Sequence, residues 1–414
     1  MKNFFSPRPW RPVLAVTATI SVCATSLAQL GPPPGPPGPP TAPAPVVNTI
    51  AGFGAPLPGL TRPQIEAFNA GLAEFVAVET PEGGLGPIFN GRSCVECHSA
   101  GAVGGASNVL VTRFGRTVDG QFDPLESQGG SLLQRFAINP QLRETIPHEA
   151  NVIAQRQSTP LFGLGLIEAI PDSAILANAL AVKADGVKGR AAIVTDITTG
   201  QPRVGRLGWK AQQATLLAFS ADAYLNEMGI TNRFFPKENA PNGNEELLAR
   251  FKTTPDPEDE IDPATGKGDI DVAADFMRFL APPPRATITP QAAAGESLFL
   301  QSGCAVCHTP ALRTGPNPVA ALDRKTVNLY SDLLLHDMGT LNDGIAQADA
   351  GTREMKTPPL WGLRASAPYL HDGRATTVDA AIRAHDGEGA PSRERYLRLP
   401  NALRQQLLAF LGTL

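Results

Sequence analysis

The sequence predicts a mainly α chain of two similar units, with short β ribbons inserted in the first. Three observations predict it. Two pentapeptides of one pattern, Cys94-Val95-Glu96-Cys97-His98 and Cys304-Ala305-Val306-Cys307-His308, stand one in each half of the chain. Two amphipathic patterns with one spacing close the halves: Val272, Phe276, Phe279 and Leu280, then Leu403, Leu407, Phe410 and Leu411, each at i, i+4, i+7 and i+8. The ribbon-like stretches, finally, are too short to organise a large sheet.

Each pentapeptide reads as an attachment site for a c-type haem. On one helical turn the two cysteines share a face, where their thiols can meet the two vinyl groups of a single haem. The adjoining histidine then falls under the iron, so His98 and His308 are the expected proximal ligands. A lone CxxC could equally be a redox disulfide or half of a zinc site. Two copies, each followed directly by histidine, in a chain with export features, point to two covalently bound haem c groups bearing iron.

The 414 residues allow two domains, and a 42% hydrophobic content allows real cores. Lys2, Arg8 and Arg11 precede an apolar stretch from Val13 to Cys23, and Ser26-Leu27-Ala28 offers small residues before a cut at Gln29. Residues 1–28 are therefore expected to be a signal peptide cleaved near Ala28, with a periplasmic mature chain. The apolar run is short of the roughly 20 residues that span a bilayer, so no transmembrane span is expected in the mature chain. Losing three cations and no acids takes the formal charge from −4 to −7, which argues against nucleic acid as a partner. Of five cysteines, Cys23 leaves with the signal and the haem motifs use the rest.

Residues 29–47 are rich in proline, glycine and alanine and read as an extended tether. Order is expected from a helix at Thr61-Arg62-Pro63-Gln64, which has the form of a capping box, with Ile65, Phe68, Leu72, Phe75 and Val76 as its apolar stripe. Gly83, Gly84 and Gly86 end it. Val109 to Phe114 and Ala192 to Val204 are the expected ribbons, the second with a Thr199-Gly200-Gln201-Pro202 turn. Pro236 to Gly268 carries Asp256, Glu258, Asp259, Glu260 and Asp262; without regular ligand spacing it reads as a solvated acidic loop before it reads as a calcium site. Phe89 and Phe299, each five residues before the first cysteine of a motif, suggest an internal duplication. Pro282-Pro283-Pro284 marks the boundary, giving units at 48–281 and 286–414.

Longer motifs carry a family resemblance. Thr357-Pro358-Pro359-Leu360-Trp361-Gly362-Leu363-Arg364 and Ala367-Pro368-Tyr369-Leu370-His371-Asp372-Gly373-Arg374 resemble the signature of the di-haem cytochrome c peroxidase superfamily. Thr159 to Pro171, Leu333 to Gly339 and Phe276 to Pro282 resemble its di-haem oxidoreductase branch, often labelled thiol oxidoreductases. The resemblance implies two cytochrome c-like domains with one haem c each. It also implies a sixth ligand for the second haem on the helix after the Tyr-x-His-Asp-Gly signature, where this chain offers His385. His371 and His336 are then expected beside the haem, as hydrogen-bonding residues. The acid that peroxidases of the superfamily carry in a Leu-x-Glu-Gln-Ala segment has no clear counterpart in Thr215 to Ala221. Glu168, inside an apolar run, is the expected substitute, because burial would favour its protonated form and let it shuttle a proton. Arg206, Trp209 and Lys210 are further pocket candidates, and His148 a candidate ligand of the first haem.

The resulting expectation is a peroxidase-like di-haem oxidoreductase whose second haem relays electrons to a reactive first haem. A redox protein or quinol would be the electron donor, and peroxide or oxygen the acceptor. The alternatives are a plain electron-transfer cytochrome and an oxygenase-type relative.

Overall fold

The frame is a pair of crossed helices in each half, and the same device repeats. The computed structural model describes residues 49–414 apart from Thr253; the expected signal peptide at 1–28 and tether at 29–47 lie outside the described residues. Ten α-helices are described: α1 (Arg62–Val76), α2 (Leu164–Glu168), α3 (Asp172–Leu180), α4 (Leu216–Ala223), α5 (Glu245–Phe251), α6 (Asp269–Phe279), α7 (Pro290–Gln301), α8 (Val378–Ala384), α9 (Ala390–Arg398) and α10 (Asn401–Leu411). None is long and apolar enough to cross a membrane.

α1 starts where the capping pattern puts it, with the Thr61 N–H donating to Gln64 Oε1 at 2.8 Å. Its buried Phe68 and Phe75 pack on Phe276 of α6, with ring centroids 5.3 and 4.8 Å apart. Between them Gly71 lets the two backbones touch, since a Cβ there would lie 2.5 Å from the Val272 carbonyl oxygen. The second half repeats the arrangement. Thr289 caps α7 through its hydroxyl, a Cβ on Gly295 would lie 1.9 Å from the Gln406 carbonyl oxygen, and Phe299 packs on Phe410 of α10 at 5.3 Å.

This geometry corrects one equivalence. The counterpart of Phe299 is Phe75, because both follow the crossing glycine by one helical turn, and both rings lie beside a motif histidine, at 6.1 Å for Phe75–His98 and 6.5 Å for Phe299–His308. Phe89 instead sits in a two-residue strand, Ile88–Phe89, against Phe136. The first unit has an insertion between helix and motif that the second lacks.

The mainly α expectation is also corrected: the fold is mixed, 35% helix and 16% strand, with small sheets. The stretch expected as a ribbon from Val109 is the strand Leu110–Val118, the centre of a four-stranded antiparallel sheet with Gln121–Asp123, Leu132–Leu133 and Val152–Gln157. The second ribbon is a hairpin, Ala192–Asp196 with Gln201–Gly205, whose turn closes through Gly200 N–H to the Asp196 carbonyl at 2.7 Å. Ribbons are not confined to the first half: Leu312–Arg313 pairs with Thr326–Val327, and Leu335–Asp337 with Glu354–Lys356. These strands are two or three residues long, below the length at which alternation shows in a sequence.

The core continues across Pro282–Pro284. Phe162, Ile170 and Leu207 share one apolar cluster with Leu329, Leu333, Leu334 and Trp361. A buried charge network adds to it, with Asp343 taking Arg156 at 2.6 Å and Lys210 at 3.0 Å. Lys210 is thereby a structural residue joining the halves. Gln157 reaches over as well, its side-chain amide donating to the carbonyls of Pro368 and Leu370, both at 2.8 Å.

The crossing glycines give a direct prediction. Alanine in a helix interior is usually favoured over glycine by about 1 kcal/mol. At Gly295 the added methyl must push α7 off the α10 backbone, and overpacking of that kind costs roughly 3 kcal/mol. Gly295→Ala should therefore lower the thermal midpoint of the haem-loaded protein, and a rise would show that the crossing is loose.

Candidate haem sites

Both haem motifs form one tight turn. His98 N–H donates to the Cys94 carbonyl at 3.0 Å, and His308 N–H to the Cys304 carbonyl at 2.9 Å, so the cysteine pair and the histidine of each motif project from a single short helical turn. Cys94, Cys97, Cys304 and Cys307 form no disulfide. Burial pushes Cys97 and Cys304 up to about 12 and Cys94 higher still. A redox CxxC needs the opposite, a depressed thiol, so these environments fit thioether attachment better than dithiol chemistry.

At the second motif, His308 Nδ1 donates to the Tyr330 carbonyl at 2.9 Å, which leaves Nε2 as the free nitrogen. His385, at the end of α8, does the same with the Ala381 carbonyl at 2.8 Å. The two rings face each other with centroids 6.4 Å apart. Two imidazoles on one metal, each bonded at about 2 Å through the near nitrogen, have centroids roughly 6 Å apart. The pair therefore fits one iron between them. Burial lowers both histidines, His308 to about 4, and keeps them in the neutral form that ligates.

The cavity around this pair is lined by apolar side chains, among them Val306, Leu360, Leu363, Ile382 and Leu411. Lys356 also lines it. This lysine is 5% exposed, its ammonium donates only to the Thr357 carbonyl at 3.3 Å, and burial lowers it to about 8. A haem propionate would supply the counter-charge it lacks.

His336 is beside the second site and is no ligand. Both its nitrogens meet carboxylates, Nε2 to Asp332 at 3.0 Å and Nδ1 to Glu388 at 2.6 Å, with the Cys307 sulfur 3.8 Å away. Burial opposes its charge, but these partners win and push it up to about 11, while Asp332, which also pairs with Lys183, is held down to about 2. His371 lies on the cavity wall, lowered by burial to about 4, with its ring edge-on to Trp209 at 6.3 Å. Trp209 Nε1 donates to the Gln157 carbonyl at 2.8 Å. The segment from Gln157 to Pro160 runs between the sites: Gln157, Ser158 and Pro160 line the second cavity, and the Thr159 carbonyl reaches His98.

The first site differs. His98 is half-buried, lowered to about 4 by desolvation, and bonds through Nδ1 to the Gly105 carbonyl at 3.2 Å. Its aromatic neighbour is Phe75, and no second histidine ring faces it among the described residues. His148 is exposed, in a loop. Cys94 and Leu217 both pack against a cluster that includes Tyr224, Met228 and Ile230, where α4 continues into a π turn at Tyr224–Met228. Such turns are frequent at functional sites.

Glu168 does not stand unpaired in its apolar run, as the sequence reading assumed. One oxygen accepts from Leu216 N–H at 2.7 Å, capping α4, and the other from Arg278 at 3.1 Å. Arg206 is fully buried behind it, donating to the carbonyls of Ile167, Glu168 and Ile170 and pairing with Asp172, which closes the end of α2. These two hold helices in place; Trp209 alone of the three lines the cavity.

The sequence reading missed Asp222 and Glu227. Glu227 lies beside Cys97 and accepts from the Asn90 amide at 2.8 Å; burial raises it. Asp222, next to it, is pushed up to about 6 by burial against the pull of Arg113. They are the acids of an otherwise apolar run, Leu216 to Met228, which is the signal that could have found them.

Two outcomes are expected. Replacing His385 with alanine should turn the C-terminal haem high-spin or ligand-exchangeable in its visible spectrum; an unchanged spectrum would assign the ligand elsewhere. His336→Gln should destabilise the protein by roughly 3 kcal/mol, as for a broken buried ion pair. Because folding raises the histidine from 6.5 to about 11, the difference should be full below pH 6.5 and vanish as pH rises toward 11. A denaturation series across that range checks it, and a difference growing with pH would refute it.

Residues 139–414 match the family described as "Di-haem oxidoreductase, putative peroxidase", a match that begins after the first haem motif. Cytochrome c peroxidase Ccp of Escherichia coli is 24% identical over 190 residues, covering 42% of this chain and 38% of that protein's length. Among solved structures, hydrazine synthase of Kuenenia stuttgartiensis overlaps 97% of this chain and 100% of its own at 16% identity and a TM-score of 0.42. The di-haem peroxidase BthA of Burkholderia thailandensis overlaps 84% of this chain and 86% of its own at 14% identity and a TM-score of 0.37. The assignment stands on the sequence match, which takes in the second haem motif, His385 and the Tyr369-Leu370-His371-Asp372-Gly373 signature: the chain belongs to the di-haem oxidoreductase family, related to the di-haem cytochrome c peroxidases.

Proposed function

We propose that this chain is a periplasmic, peroxidase-like di-haem c oxidoreductase, in which a haem on Cys304 and Cys307 relays electrons to a reactive haem on Cys94 and Cys97. The observation that carries the reading is the asymmetry of the two histidines. His308 has His385 opposite it at 6.4 Å, whereas His98 has no histidine facing it among the described residues. Two histidine ligands favour outer-sphere electron transfer, and an open position favours a small substrate such as peroxide or oxygen.

The chain's own residues divide in the same way. At the second site His308 and His385 orient their Nε2 atoms through backbone carbonyls, and Lys356 holds an anionic substituent. Trp209 and His371, with the Gln157 to Pro160 segment behind them, form the wall toward the first site. At the first site Asp222 and Glu227 are the proton-handling groups. A carboxyl near pH 6 can both take and give a proton at neutral pH, and Arg113 beside the pair stabilises the charged form. Glu168 and Arg206 position α2 and α4 beneath them. The electron donor is a redox protein or a quinol reached outside the membrane.

Stopped-flow mixing of the half-reduced protein with hydrogen peroxide tests the reading. Peroxide should oxidise the protein, and Asp222→Asn should slow that reaction roughly 100-fold, the usual worth of a general acid–base, with the C-terminal haem spectrum unaltered. A wild-type protein inert to peroxide and oxygen would leave an electron carrier without a substrate.

A further inference from the structure

The acidic stretch before α6 is solvated only in part: residues 260–266 are exposed, but two of its acids are buried. Glu238 is 8% exposed and Asp259 3%. Asp259 accepts from the backbone N–H groups of Asp269 and Ile270 and so caps α6. Three further acids converge on a second point: Glu238, Asp256 and Glu258 bring carboxylate oxygens within 4.8 Å of one another.

The donors present do not satisfy them. Thr231 Oγ1 has one proton and stands 3.0 Å from both Asp256 Oδ1 and Glu258 Oε2. Thr231 N–H and Thr254 Oγ1 donate to Glu258, and Lys252 pairs with Asp256. Glu238 Oε2, buried and sent into this group, has no hydrogen-bond partner. Three carboxylates with one ammonium leave two negative charges in a half-buried site, an arrangement that calls for a proton or a cation.

We propose that Glu238, Asp256 and Glu258 form a calcium site that pins the acidic loop to the wall of the first haem site. Oxygens on one calcium, each about 2.4 Å from it, stand at most about 4.8 Å apart, whereas magnesium at about 2.1 Å demands a tighter set. All the offered ligands are hard oxygens, which excludes the softer metals from preference. The anchoring follows from the chain path. Thr231 is the residue after Ile230, which packs in the Cys94 cluster, and Glu258 lies over Gly84 in the turn that follows α1. A cation here ties the loop to both.

The test is calorimetric titration of calcium chloride into the haem-loaded protein after removal of divalent ions by EDTA. One site is expected, with a higher thermal midpoint on binding. Glu238→Gln and Asp256→Asn should each weaken it at least ten-fold. Where a variant does not fold, calcium anomalous scattering from wild-type crystals replaces it, and a peak among the three carboxylates supports the site. Absence of binding in the wild type, unchanged affinity in both variants, equal affinity for magnesium or absence of the anomalous peak would each overturn the proposal.

Discussion

The close crossing of a closing helix over an opening helix is the constraint on which the rest depends. At Gly71 and Gly295 the backbones approach so closely that no side chain fits, and one turn later Phe75 and Phe299 fill the angle between helices. Each phenylalanine then backs a motif histidine. The position of each motif histidine is thus set by rigid helix packing, and a short backbone bond from the histidine to the first cysteine closes the motif turn. Loops between these fixed points can lengthen freely, since long insertions cost little entropy, and the first half has used that freedom for its sheet, its hairpin and its acidic loop.

What differs between the halves is what stands opposite the histidine. In the second half α8 ends on His385, whose Nδ1 is tied to its own helix, so its other nitrogen faces His308. In the first half no histidine faces His98 among the described residues, and α4 with its π turn brings Tyr224 and Met228 to the cluster on which Cys94 packs and Glu227 beside Cys97. A duplicated scaffold can therefore hold two unequal sites. The halves are joined by a continuous apolar core and by the Arg156–Asp343–Lys210 network, so the wall of Gln157, Trp209 and His371 is held from both sides.

Much of this was legible in the residues. The motifs, the capping of α1, the hairpin turn at Gly200 and the two closing helices follow from spacing and local chemistry. The small strands did not, because two or three residues carry no periodicity, and their pairing with distant partners is a tertiary outcome. Glu168 misled because a lone acid in an apolar run looks unpaired, and its partner Arg278 lies on α6, far away in sequence. Asp222 was overlooked because it stands one residue beyond the segment searched, Thr215 to Ala221. Phe89 was matched to Phe299 by distance to the cysteine, a measure that the insertion in the first half had already broken.

The central claim is that one helix-pair scaffold, used twice, builds one closed and one open iron site. Electron paramagnetic resonance of the fully oxidised, haem-loaded protein measures this most directly. The account predicts one low-spin signal of a bis-histidine haem, abolished by His385→Ala, together with a separate high-spin signal from the haem over His98. Two low-spin signals that persist on half-reduction, with neither altered by cyanide, would contradict it.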